Sequence, residues 1–160
     1  MAMNFFSSMD IASSAMSAER FRMDVISQNI SNANTQNTVA GTPYRRQVAS
    51  IGSATDSGGK PFVLPVGLDD DGDGPRFRGQ GVQVSGVAQD QSDFRYVYDP
   101  TNPNAQKEGK WKGYVAMPNV NIISEMTDLI SASRAYEASA TAVESAKGIA
   151  MKGLEISAGR

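Results

Sequence analysis

Apolar residues near both ends of the chain fall on a seven-residue beat. Met9, Met16, Met23 and Ile30 keep it near the N-terminus, and Ile122, Leu129, Tyr136, Val143 and Ala150 near the C-terminus. Such spacing predicts a narrow apolar seam that packs helix against helix. Ala and Ser are frequent in both segments, so neither seam buries much area by itself. The pattern predicts a chain that folds fully beside copies of itself or of its relatives.

The first seam predicts a helix from about Ser8 to Ala33, about 40 Å long. Phe5, Met9, Ala12, Met16, Met23, Ile26, Ile30 and Ala33 recur on it at spacings of three and four. Glu19 places a charge on the seam, which weakens self-association there or fixes register. Ser31, Asn32, Asn34 and Thr35 compete for backbone hydrogen bonds and end the helix, and Asn tolerates the left-handed conformation.

The second seam carries Met126, Leu129, Tyr136, Ala140, Val143, Ala150 and Leu154. Pro118 precedes its helix, and Asn119 or Asn121 is placed to cap it. Glu125 and Asp128 near the start, and Lys147 and Lys152 near the end, complement the helix dipole. Gly148 and Gly153 each cost about 1 kcal/mol against Ala in a helix interior. They predict fraying, or very close packing against a neighbour.

Between the helices, Gln36 to Val120 is rich in Gly and Pro, with short alternating apolar runs. Tyr44 to Ala49 reads as a strand, and Phe62 to Val66 as an edge strand or loop between two prolines. Val82 and Val84 share a face in a third strand; Phe94, Tyr96 and Tyr98 share one in a fourth, stopped by Asp99 and Pro100. Gly52 to Lys60 and Pro100 to Lys112 read as polar loops. The expected fold is α+β. Long N- and C-terminal helices flank a small β-rich, loop-rich middle insertion. The segments are 1–35, 36–118 and 119–160.

Composition narrows the chemistry. The net charge of −2 over 160 residues, with no basic stripe, speaks against nucleic-acid binding. Cys and His are both absent. Disulfides, thiolate nucleophiles, serine triads, Cys–His dyads and His-based zinc sites are therefore excluded. No apolar run approaches the roughly 20 residues that span a bilayer, so no direct membrane insertion is expected. Met1 to Met16 lacks a basic stretch and a continuous apolar core. Any export is expected to follow a route that cleaves no such signal.

Asp69, Asp71, Asp73 and Gly74 match positions 1, 3, 5 and 6 of a calcium loop, but Gln80 stands where the bidentate Glu belongs. Pro65 and Pro75 oppose flanking helices, and the segment reads as a solvated acidic turn. A calcium-dependent binding module is the rival from another class. Gly79-Gln80-Gly81 lacks the third glycine of a dinucleotide fingerprint and reads as a turn leading into a strand. Gly58-Gly59-Lys60 lacks the first glycine of a phosphate loop. Asp24, Glu125, Asp128, Glu137 and Glu144 read as solvated helix positions rather than acid–base pairs. No enzyme activity, metal or cofactor is expected. The helical Met residues read as seam rather than as a promiscuous groove, and the Phe94–Tyr98 aromatics as a strand face.

Three ordered blocks carry a resemblance. The first is Ser27-Gln28-Asn29-Ile30-Ser31-Asn32-Ala33-Asn34-Thr35, followed by Gly41-Thr42-Pro43-Tyr44-Arg45-Arg46. The second is Val97-Tyr98-Asp99-Pro100, then Gly113 to Asn121 with Met117-Pro118-Asn119. The third is Glu125-Met126, Asp128-Leu129-Ile130 and Ala132 to Ala138 with Arg134-Ala135-Tyr136. Together they resemble the bacterial flagellar rod and hook proteins, and within them the proximal-rod type. Ser139 stands where that family usually has Asn, and Gln47 to Gln91 is only weakly covered. A different axial subunit, of rod or hook, is the rival within the family.

The resemblance implies a structural subunit of the basal-body rod, the periplasmic drive shaft of the flagellum. It implies partners among copies of the chain and other rod proteins, at the junction to the membrane ring, and in the flagellar type III export apparatus. It also implies that the terminal helices, 1–35 and 119–160, pair as a coiled coil and wall the export channel while the middle segment packs outward. The assembly interface expected from seams and blocks together comprises Met16, Met23, Ile26, Asn29, Ile30, Asn32, Tyr44, Met126, Leu129, Arg134, Tyr136, Val143 and Leu154.

Overall fold

A computed structural model describes residues 2–39, 41–54 and 81–158 of the chain. Helix α1 spans Ala2–Ser31 and helix α2 spans Ile122–Ala158. Between them run strands β1 (Gln47–Ser53), β2 (Val82–Gln89), β3 (Arg95–Tyr98) and β4 (Tyr114–Met117). Two long helices around a small stranded middle make the chain α+β. At about 1.5 Å per residue, α1 is about 45 Å long and α2 about 55 Å. Among the described residues no helix is long and apolar enough to cross a membrane.

α1 starts earlier than its seam predicts, because Ala2 to Ser7 contains no Gly or Pro to stop it. It ends where the Asn-rich stretch begins. The Asn32 amide N–H and side-chain Nδ2 both donate to the Gln28 carbonyl, at 3.1 and 2.9 Å. Ala33 N–H then donates to Ile30 O, closing a tight turn. No non-glycine among the described residues has positive φ, so this end is made by side-chain bonding and not by a left-handed Asn. α2 is capped by Asn121, whose Oδ1 accepts from Ile123 N at 3.1 Å. Its far end differs from expectation. The helix runs on to Ala158, leaving Lys147 and Lys152 outside the last turn, which holds no basic residue.

The chain forms two compact units. One comprises Arg20–Ser50 and Gly86–Ser133; the other Met1–Glu19, Ile51–Ser85 and Arg134–Arg160. In the first, Val25, Ile26, Ala33, Val115 and Ala132 form the buried apolar core. β3 and β4 pair antiparallel, with Tyr96 opposite Ala116 and Tyr98 opposite Tyr114. β4 is a strand by its pairing with β3, which its own four residues do not reveal. Its neighbours build an aromatic cluster. Trp111 stacks on Tyr96 at 4.5 Å and meets Tyr114 edge-on at 5.5 Å. Gly113 has φ of +81°, and a Cβ there would lie 3.0 Å from the Tyr98 ring. Only glycine fits that position.

β1 begins at Gln47, later than the expected strand. The Arg46 N–H is diverted to the side chain of Asn119 at 2.8 Å while its carbonyl accepts from Asp90 N at 2.9 Å, so the regular strand starts at Gln47. β1 pairs with β2. Val82 and Val84 are half-buried on one face of β2, as their spacing predicts.

In the second unit Ala18 is buried. Gly81 leads into β2 with φ of +72°, and a Cβ on it would stand 3.3 Å from Ser14 Cβ. The close approach lets Ser14 Oγ accept from Val82 N at 3.0 Å while donating to Ile11 O at 2.7 Å. Phe62 to Val66, Gly58 to Lys60 and the Asp69 to Asp73 turn lie outside the described residues.

Candidate functional site

The end of α1 and the start of α2 are joined by a buried polar cluster. Its centre is Asn29, 1% exposed, one of the few polar side chains buried among the described residues. The amide uses its whole bonding capacity. Oδ1 accepts from Tyr44 Oη and from Gln47 N, both at 2.9 Å. Nδ2 donates to Gln47 O at 2.8 Å and to Glu125 Oε2 at 2.9 Å.

Glu125 is fully buried. Its reading as a solvated helix position is thereby corrected. A carboxylate is tolerated there because Arg46 Nε donates to Oε1 at 2.6 Å and Asn29 satisfies Oε2. Arg46 also faces Asp90 at 3.7 Å and Asp128 at 3.6 Å. Burial works hardest against its positive charge. The hydrogen bond and charge of Glu125, with Asp90 and Asp128, more than offset that and raise its pKa. Burial and then the Glu125 carboxylate push the Tyr44 phenol above its ordinary value of 10.0.

Asn119 ties in a further segment. Its Oδ1 accepts from Arg46 N, while Nδ2 donates to Asp90 O at 3.2 Å and to Ser92 Oγ at 2.9 Å. The Ser92 amide, and then its hydroxyl, hold the Asp90 carboxyl below the usual carboxylate range. Arg45 reaches the Asp90 carbonyl at 3.1 Å and lies over the Phe94 ring at 4.4 Å. Four chain segments thus meet through directed bonds rather than apolar area.

Of the residues expected at an interface, the structure brings Asn29 and Tyr44 into this cluster, and buries Ile26 beside it. Asn32 closes α1. Met16, Met23, Ile30, Leu129, Tyr136 and Val143 are half-buried. Met126 and Leu154 are exposed at 53% and 69%, and Arg134 is exposed. Sequence reasoning missed Arg46, Asp90, Asn119 and Glu125 as a group. The available signal was that Arg46, Asn119 and Glu125 fall in three separate resemblance blocks.

Within the cluster, the carboxylates of Glu125, Asp90 and Asp128 all face the Arg46 guanidinium. Among the described residues no three Asp or Glu side chains stand close enough to hold a metal ion.

Comparison with known proteins matches the two helical ends separately. Residues 9–37 match the family described as flagella basal body rod protein, and residues 112–156 the flagellar basal body rod FlgEFG protein C-terminal family. Asn29 lies in the first match and Glu125 in the second. The chain is 42% identical over 155 residues to the flagellar basal-body rod protein FlgC of Borreliella burgdorferi, covering 96% of this chain and 98% of that one. Against FlgC of Bacillus subtilis it is 43% identical over 158 residues, covering 96% and 99%. Against FlgC of Salmonella typhimurium it is 33% identical over 147 residues, covering 92% and 93%. With likeness at this level along nearly its whole length, the chain belongs to the FlgC family of flagellar basal-body rod proteins.

Proposed function

We propose that the chain is a non-enzymatic structural subunit of the flagellar basal-body rod. It assembles with copies of itself and with other rod proteins, transmits torque along the shaft and lines the export channel. The observation that carries this reading is the apolar surface left on α2. Ile122, Ile123, Met126, Ile130, Ile149, Met151, Leu154 and Ile156 are all exposed in the single chain. That is more than an isolated soluble chain commonly leaves in water along one helix, and it suits burial by neighbours.

In this reading residues 1–35 and 119–160 pair as a coiled coil, and 36–118 pack outward between subunits. Met16, Met23, Ile30, Met126, Leu129, Arg134, Tyr136, Val143 and Leu154 face neighbouring subunits, while Asn29, Asn32 and Tyr44 hold the helix ends in the shape those neighbours meet. The rod stands in the periplasm, reached by flagellar type III export without a cleaved signal. It joins the membrane ring at its base. Many weak contacts per subunit, repeated along an open helical array, resist twisting.

The test is the partner list of the tagged chain in purified basal bodies. The reading expects cross-links to other rod proteins and to the ring junction. A chain absent from basal bodies, with motility intact after its deletion, overturns it.

A further inference from the structure

A small recess lies between the loop that follows α1 and the loop that leads into β4. Its volume is about 230 Å³. Gln36, Asn37 and Pro43 line one side, and Asn104, Gln106 and Ala116 the other. Among the described residues no charged side chain lines it. Its walls are braced within the chain. Thr38 N donates to Thr42 O, Gly41 N to Thr38 O and Tyr44 N to Thr35 O, which fixes the first loop. Asn102 and Asn104 each donate an amide proton to Gln36 Oε1 at 3.3 Å and so join the two loops.

The free edge of β4 opens into this recess. Asp99 N donates to Gly113 O, and that sets the alternation of the β3–β4 ladder. Val115 and Met117 bond to β3, while Tyr114 and Ala116 turn N–H and C=O to the other edge. Tyr114 uses both outward groups, donating to Trp111 O and accepting from Gln106 N. Ala116 has no such partner among the described residues. The side-chain amides of Asn37 and Gln106 also make no hydrogen bond among them. The recess thus mixes uncharged donors and acceptors with the apolar Pro43 ring and Ala116 methyl.

This chemistry selects a ligand. Each hydroxyl both donates and accepts, so a polyhydroxylated ring matches intermixed carboxamides and a free backbone pair, with its C–H groups against Pro43 and Ala116. An added peptide strand fits poorly, because its pairing would stop after one residue: Tyr114 is occupied and Pro118 has no N–H. A charged ligand finds no counter-charge. The volume is below the roughly 300–1,000 Å³ of sites for drug-sized ligands, which suits a single ring. Further units of a chain have an aromatic surface beside them. Tyr96 pairs with Ala116 across the ladder and shares its face, and Trp111 stacks on Tyr96 at 4.5 Å.

We propose that this recess binds one uncharged sugar ring of a glycan chain, held by Asn37, Gln106 and the N–H and C=O of Ala116. The proposal goes beyond the rod reading and does not depend on it.

The isotope-labelled full-length chain is titrated with cellotetraose and with tetra-N-acetylchitotetraose, the hydroxylated and N-acetylated forms of one β-linked backbone, and followed by NMR. At least one is expected to shift the Ala116 amide and the Asn37 and Gln106 side-chain signals saturably. Asn37→Ala and Gln106→Ala are each expected to weaken that binding about three- to tenfold. Glu144→Ala, on α2, is expected to leave it unchanged. Circular dichroism matching the parent establishes that each variant folds, and the Ala116 shift in the unmodified chain needs no variant. If neither sugar shifts Ala116 at millimolar concentration, the proposal is overturned. So it is if binding ignores both loop variants, or if penta-alanine occupies the recess and neither sugar does. None of these results bears on the presence of the chain in basal bodies.

Discussion

Arg46 and Glu125 form a 2.6 Å ion pair in which the arginine side chain is 27% exposed and the carboxylate 1%. The asymmetry sets what each substitution does. Arg46→Ala leaves a buried carboxylate with Asn29 as its main partner and should cost about 3–5 kcal/mol. Glu125→Gln keeps the shape and an acceptor for Arg46, and should cost about 1–3 kcal/mol. Denaturant unfolding of the two variants checks the order. Equal costs would show that the charge pairing is irrelevant to the cluster.

Asn29 and Asn32 are three residues apart and should respond very differently to the same change. Asn29→Asp removes both donors from a saturated site and sets a second carboxylate beside Glu125. A cost above about 3 kcal/mol is expected. Asn32→Asp loses one half-exposed bond to Gln28 O and should cost about 1 kcal/mol or less. Thermal unfolding of both decides whether burial or helix-end position governs.

Gly81 and Gly41 separate backbone strain from crowding. Their φ angles are +72° and +74°, but a Cβ at Gly41 meets nothing within 4 Å while one at Gly81 meets Ser14. Gly41→Ala should cost about 1–2 kcal/mol through φ alone. Gly81→Ala should cost more, by the displacement of Ser14 from Val82 N. Adding Ser14→Gly should recover part of that excess, but not all, because the bond to Val82 N is lost either way.

The raised pKa of Tyr44 gives the cluster a sensitivity to base. Below the unfolded value, near pH 10.0, the phenol is neutral in both states and its bond to Asn29 is fully present. As pH rises through the higher folded value, the phenolate can no longer donate and stands near the Glu125 carboxylate. Stability should therefore fall above pH 10, and fall less steeply in Tyr44→Phe. Unfolding followed across that window, with tyrosinate absorbance, tests it.

Leu129→Asp should block motility while leaving the chain expressed in the cytosol. Leu129 is half-buried in the single chain, and covering it in an assembly would bury an unpaired charge. Swarming assays and immunoblots measure the two outcomes. Normal swimming would remove Leu129 from the interface.

Periodicity made the helices legible because apolar spacing is a property of one segment. Ile26 and Ala33, on the seam by their spacing, are buried in the chain's own core, and Asn121 caps α2. The polar cluster was not legible. A helix position tells nothing about whether its carboxylate meets an arginine 79 residues away, as Glu125 does. Charge at the start of a helix has a sufficient local explanation in the dipole, and that explanation hid the burial. Met126 and Leu154 kept the seam spacing yet lie exposed, since spacing fixes a face but not what covers it. β4 was missed because its pairing with β3, and not its own pattern, makes it a strand.

Seams of alanine and serine have few distinguishing shapes, and one heptad fits much like the next. The Asn29–Glu125 bond removes that ambiguity. If α2 slid by seven residues, Ala132 would replace Glu125 opposite Asn29, and one Asn29 amide proton and the Arg46 Nε–H would lose their acceptor. The bond therefore works as an index mark, fixing a single register between the end of α1 and the start of α2.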